Sequence, residues 1–328
     1  MHGRPLEKER IADRMADCDK STCANRSGGR PLKPLRRRLM RTLWAGLLCA
    51  EVLGAAGMVL GHAQAAPFEP QRSPLTWVQT AVQQETATIA RAEGLPIRFR
   101  QRKVDAHGDT TRELIQAREG AVARLIERNG QPISAAEDAA ERDRLQDNLR
   151  SPDAFLKHHR HDSSAREDAM ALVKLLPQAM LYSYAPGQPQ LPLSTGPQVV
   201  IDFHPNPRFH PPTLLSELLT GIEGRVWIDQ RTGHMVHIEG HVVKPVNFGF
   251  GILAKIYPGG TLSLDQAMIA SGDWVYSHAE EHLNVRALLV HNAPQNLSIT
   301  SFDFRLMPKQ PGFEDATREL LSMRIPLR

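Results

Sequence analysis

The sequence predicts an α+β protein built on a strongly curved antiparallel β-sheet, an unclosed half-barrel, with inserted helices covering the concave face. Three observations predict it. Roughly ten segments alternate apolar and polar residues, and turn signals stand between most of them. Helical spacing is confined to a stretch before residue 94, an insert at 134–177 and a short segment at 213–219. Hydrophobic residues make up 41% of the 328, and charged residues 23%, which supports a real core and excludes wholesale disorder.

Residues 1–65 read as an N-terminal extension and signal peptide: after residues 1–34 a basic segment, Leu35 to Arg41, runs into the apolar stretch Thr42 to Gly61 and then Ala63-Gln64-Ala65. Charge, apolar run and small-residue site are the three parts of a secretory signal peptide, with cleavage expected near Ala65-Ala66. The run is long enough to span a bilayer. Glu51 in its middle, a carboxylate costing about 2–3 kcal/mol there, argues against a retained anchor. Met40 offers an alternative start. The expected address is therefore the periplasm. Residues 1–65 carry 12 Lys+Arg and 6 Asp+Glu, which leaves 28 against 30 for the rest. The basic character belongs to the leader, and no nucleic-acid partner is expected. Cys18, Cys23 and Cys49 all precede the cleavage point, so residues 66–328 hold no disulfide, thiolate metal site or cysteine nucleophile.

Residues 66–94 form the N-terminal helical unit, with Trp77, Val78, Ala81, Val82 and Ile89 at helical spacing and Gly94-Leu95-Pro96 as the stop. Residues 95–308 are the half-barrel domain. Ile97 and Phe99 alternate with Arg98, Arg100 and Arg102, the solvated face of a first strand. Strands at 111–117 and 121–128 complete an antiparallel meander joined by tight turns. In the insert at 134–177, Ser134 to Glu137 and Ser164 to Glu167 both read as capping boxes that open helices. Strands are then expected at 180–185, 198–204, 224–229, 234–243, 251–257, 262–270, 273–278, 282–291 and 297–305. A C-terminal tail occupies 309–328.

The segment Phe203-His-Pro-Asn-Pro207, the strand Gly224-Arg-Val-Trp-Ile-Asp229, its return at His234–Val243, the glycine-rich Phe248-Gly-Phe-Gly251 and the later Trp274 carry a resemblance. Their order resembles that of exported bacterial proteins of unassigned function similar to the lipoprotein-sorting carriers, with a LolA/LolB-like half-barrel. The resemblance covers about residues 95–308. It implies helices lying as a lid across a concave apolar surface that holds acyl chains, and it transfers no binding residue individually. An incomplete barrel cannot fill its own interior, so helices or a ligand must cover it.

Three histidine clusters invite a metal reading. His158, His159 and His161 read as a polar loop, and His237 and His241 stand about 13 Å apart along one strand, too far to share an ion. His278-Ala-Glu-Glu-His282 lacks the glutamate that a zincin places directly after its first histidine. No nucleophile elbow, P-loop or dinucleotide fingerprint is present in the sequence. Glu280 and Glu281 point to opposite faces of a strand, a poor acid pair. Trp227, Phe248, Phe250, Trp274 and Tyr276 are candidates to line an acyl cavity, with plain core as the alternative. The expectation is a periplasmic, non-enzymatic carrier without cofactor or metal. Its partners would be a hydrophobic ligand or lipoprotein acyl chain, an envelope protein, and transiently a membrane. The alternatives are a secreted metal-dependent hydrolase using the histidine clusters and a structural cell-envelope protein.

Overall fold

A computed structural model describes residues 72–192, 196–248, 254–287 and 291–328; the expected leader lies outside the described residues. Helix α1 (Pro74–Ala92) starts where the Ser73 hydroxyl accepts from the Thr76 N–H at 3.2 Å, with Pro74 in the first turn. Strands β1 (Ile97–Asp105), β2 (Gly108–Ala117) and β3 (Gly120–Arg128) form the expected meander, followed by the two-residue β4 (Gln131–Pro132). Helices α2 (Ala135–Arg150) and α3 (Asp153–Ala179) form the insert. Strands β5 (Met180–Tyr184), β6 (Gln198–Pro205), β7 (Ile222–Asp229) and β8 (Met235–Val242) follow, with a 3₁₀ turn at Leu215–Thr220. The chain continues through β9 (Val246–Phe248), β10 (Ala254–Ile256), β11 (Thr261–Met268), β12 (Trp274–Ala287), β13 (His291–Leu306) and helix α4 (Phe313–Ser322).

All thirteen strands among the described residues join one antiparallel, curved, unclosed sheet, ordered β4-β3-β2-β1-β13-β12-β11-β8-β7-β6-β5, with the β9/β10 hairpin attached to β12. The predicted α+β half-barrel is the observed fold. Its inner face carries Phe99, Ile201, Val226, Ile228, Leu264, Ala279 and Ile299 and packs against Val78, Ala81 and Ile89 of α1. Met170 and Val173 of α3 lie partly buried on the same cluster. The hairpin turn at Gly233 sits so close to α1 that a Cβ there would stand 2.6 Å from the Thr80 methyl, and its φ of +74° favours glycine as well.

The helices do not all cover that one face. Ile115, Ala117 and Val122 of the meander point outward and pack with Leu145 of α2 and Phe313, Ala316 and Leu320 of α4. The expected C-terminal tail therefore includes a helix docked on β2 and β3. The arginine row differs from expectation for the same reason. Arg98 and Arg100 both grip the buried Glu113 carboxylate, and Arg98 also reaches Glu319 of α4. Only Arg102, paired with Asp109, is as exposed as the sequence suggested. Buried Arg124 donates to the carbonyls of Leu320 and Met323 at the end of α4 and to Asp138 of α2.

Two other expectations fail on continuity. Ser164 to Glu167 open no helix, because α3 already runs from Asp153 and the preceding turn supplies the acceptors for those N–H groups. Ser134 and Glu137 do form the capping box predicted for α2. Likewise, His278 and His282 flank no turn. They lie within β12, which pairs with β13 along their whole interval.

The β6 edge beyond β5 is closed by side chains. Gln188 bonds the N–H and C=O of Val200, and Gln190 those of Gln198, so two amides stand where another strand would pair.

Candidate functional site

Two concavities lie on opposite faces of the sheet. The first is an apolar gap of about 60 Å³ between α1, α3 and the inner face. Val78, Ala81 and Val82 of α1 form one wall, Val173 and Leu176 of α3 another, and Val226, Ile228 and Ile238 of the sheet its floor. No helix among the described residues is long and apolar enough to cross a membrane.

A carboxyl borders this gap. Glu85 of α1 is buried, with its two carboxylate oxygens accepting from the Tyr276 hydroxyl and the Gln266 amide. Burial pushes its pKa above the ordinary 4.5, and the two hydrogen bonds offset that only in part. The Gln266 carbonyl oxygen is buried without a partner.

The cover over the gap is uneven. Residues of α1 such as Val78 and Ile89 are buried, whereas Leu172, Val173, Leu175 and Leu176 of α3 are only half-buried. Pro177 sits inside α3, where it has no N–H to donate to Val173. The Tyr182 hydroxyl fastens the same turn by donating to the Leu176 carbonyl at 2.7 Å.

The second concavity is a polar groove of about 670 Å³ on the outer face, crossing β6, β7, β8, β11 and β12. Strand register lays its side chains in rows. Glu223, His241, Thr261, His282 and Asn296 follow one another across five strands. Two residues along, the next row is Asp202, Arg225, Glu239, Ser263, Glu280 and Ser298. A third row places Asp265 between His237 and His278. Within the rows, Arg225 forks onto Asp202 and His241 Nε2 lies 3.1 Å from Glu223; between them, His282 Nε2 lies 3.0 Å from Glu280. Gly224 and Gly240 face each other in the floor, where a Cβ on Gly224 would fall 2.0 Å from the Glu239 carbonyl oxygen. Only glycine permits that approach.

No family model and no curated protein matches the chain.

The aromatic candidates scatter. Trp227 points to the outer face, packs with Ala185 and Val200, and donates its indole N–H to the Pro189 carbonyl at 2.8 Å. Phe248 is buried in a second core cluster with Ile222, Val242 and Ile256. Trp274 stacks on His234 at a centroid distance of 4.7 Å. Tyr276 belongs to the main core and reaches the gap only through Glu85. Phe250 lies outside the described residues. None of the four described aromatics lines the apolar gap, because period-two alternation sends Trp227 outward and strand order carries Phe248 to another cluster. The gap is lined by aliphatic side chains from α1, α3, β7 and β8 together with Met180 and Tyr182 of β5 and Phe203 of β6, which no local signal distinguishes from core.

The histidines also sort differently from their sequence clusters. His158, His159 and His161 fall on α3, not in a loop, and their side chains lie outside the described residues. Among the described residues, no group of three His, Cys, Asp or Glu is positioned to hold one ion. His237, His241, His278 and His282 share the outer face, a juxtaposition that depends on strand order and escaped the sequence.

Proposed function

We propose that the protein is an exported, non-enzymatic carrier that holds a hydrophobic ligand, an acyl chain or lipoprotein lipid, between α3 and the inner face of the sheet. The observation that supports this reading is a gap with apolar walls under a partly buried helix that carries a proline one turn before β5. The remaining space is small. A cavity of roughly 150 Å³ holds one benzene, so about 60 Å³ admits no acyl chain until α3 moves outward.

Energetics decide which ligands could drive that movement. Fully exposing Leu172, Val173, Leu175 and Leu176, already half in solvent, costs about 3–6 kcal/mol. Each ligand methylene buried returns about 0.8 kcal/mol. Chains shorter than roughly four methylenes therefore gain nothing, those of about four to eight break even, and longer ones bind with rising affinity. Pro177 is the natural hinge, since rotation there leaves the β5–β6 pairing intact.

The test is binding of saturated fatty acids from eight to sixteen carbons, read by displacement of an environment-sensitive fluorophore. Affinity should rise steeply with length, and Ala81→Phe, which fills the gap, should abolish it. Intact mass measurement of protein taken from its native envelope should detect co-purifying lipid. Flat, length-independent binding together with a bare polypeptide mass refutes the carrier.

A further inference from the structure

We propose that Glu85 couples the filling of the apolar gap to a proton, so that an uncharged chain is held while the carboxyl is protonated and given up when it ionises. This coupling rests on the carrier reading and regulates the same site.

Helical spacing puts the carboxyl against the ligand space. Val78, Ala81, Val82 and Glu85 follow at i, i+3, i+4 and i+7, one stripe of α1, and all four line the gap. The stripe runs two turns, about 10 Å, and ends on the acid. Opposite stand Val173 and Leu176 of α3, with Val226, Ile228 and Ile238 below. Glu85 is only 7% exposed, and among the described residues no cation pairs with it. A charge there under hydrocarbon lacks both water and counterion. An apolar chain laid along the stripe therefore favours the neutral acid.

The hydrogen bonds around Glu85 serve either form. An ionised carboxylate takes the Tyr276 hydroxyl and the Gln266 amide, one on each oxygen. A protonated one needs an acceptor. The Gln266 carbonyl oxygen is buried without a partner, and turning that amide end for end presents it to the Glu85 proton. Neither neighbour carries charge, so the water that reaches the carboxyl decides which form prevails. Burial is the largest influence on its pKa and raises it. The half-buried α3 is the cover that water must pass. Moved outward with the gap empty, it wets the carboxyl and favours ionisation; a bound chain dries the carboxyl again.

Other titratable groups on this side do not replace it. Among the described ones only Tyr182 also lines the gap, and burial pushes its hydroxyl upward, away from the carboxylate range. On α1, Arg91 and Glu93 lie beyond Glu85, paired with Asp273 and Arg166. The hairpin turn packed on α1 carries Asp229, which accepts from the turn N–H groups, and His234, which burial holds below 6.5 and so neutral above it. On β12, Glu281 is buried two inward positions past Tyr276. α3 brings Asp168, raised by partial burial and then by Glu167, and the exposed Lys174, neither of which lines the gap.

The test is binding of dodecanol, an uncharged chain, read by displacement of an uncharged environment-sensitive fluorophore at pH 5.5 and pH 9. By linkage, a bound chain tightens the proton's hold by the factor that ionisation weakens the chain's. Wild type should bind about tenfold or more weakly at pH 9, while Glu85→Gln, which cannot ionise, should change less than about twofold. Tyr276→Phe removes a donor to the carboxylate and should move the midpoint of the fall to higher pH, a shift that loosened packing alone does not give. Melting temperatures at pH 5.5 establish that each variant is folded; should Glu85→Gln not fold, the Tyr276→Phe midpoint decides, and an unmoved midpoint overturns the coupling. Equal affinity at the two pH values, or the same fall in Glu85→Gln, overturns the coupling and leaves the carrier reading standing. No binding of the alcohol at either pH overturns both.

Discussion

Replacing Glu85 by Gln or by Ala should move stability in opposite directions at alkaline pH. The carboxyl is buried beside the apolar gap, where Tyr276 and Gln266 donate to its two oxygens. Burial raises its pKa above 4.5, so over an interval above 4.5 the folded protein keeps a proton that the unfolded chain has released. Proton loss then favours unfolding. This group's contribution is present at low pH and declines as pH rises from 4.5 through the folded value. Glu85→Gln keeps the shape and an acceptor for the Tyr276 hydroxyl but cannot ionise, so it removes that slope and is more stable than wild type at pH 8. Glu85→Ala strands the Tyr276 hydroxyl and the Gln266 amide, at about 1–3 kcal/mol each, or about 2–6 kcal/mol together. In a domain of this size that is a fall of about 5–20 °C in melting temperature. Urea unfolding at pH 5, 6.5 and 8 gives all three curves, and the difference between wild type and Glu85→Gln isolates the one titration. If Glu85→Gln were as unstable as Glu85→Ala at pH 8, or if that difference did not change with pH, Glu85 would not be a buried neutral acid.

Arg124→Met leaves Asp138 and the carbonyls of Leu320 and Met323 without their shared donor, and should cost about 3–5 kcal/mol in urea unfolding. Amide exchange should show α4 losing protection before the sheet does. Gly224→Ala places a methyl against the Glu239 carbonyl and should destabilise by about 1–3 kcal/mol or more, measured as a lower melting temperature. The Ser134 backbone N–H and hydroxyl, with Arg128, hold the Glu137 pKa down to about 2, so its contribution is present above 4.5 and lost as pH falls toward 2. Glu137→Gln should lower the melting temperature at pH 7 and flatten the acid side of its pH profile.

Much of the fold was legible because it is written in local pattern. Ile97 and Phe99 alternating with arginines, the turn glycines of the meander and the Ser134–Glu137 box each specify an element without reference to distant residues. Ser164–Glu167 misled because a capping pattern is informative only where a helix has no preceding turn. The arginine row misled because α4, more than 200 residues downstream, supplies Glu319 to cover Arg98. The candidate site was hardly legible. Trp227 and Phe248 are large and apolar, yet size says nothing about which face or cluster receives them.

The sequence by itself determined α1, α2, most of the strands, the antiparallel sheet and the absence of cysteine after residue 49, since each follows from neighbouring residues and backbone periodicity. The tertiary structure alone decided the rest. Strand order brought His241, Thr261 and His282 from three strands into one row, and helix docking left aliphatics, Tyr182, Phe203 and one buried acid around the gap. Both depend on contacts between residues far apart in the chain, and no local rule encodes them.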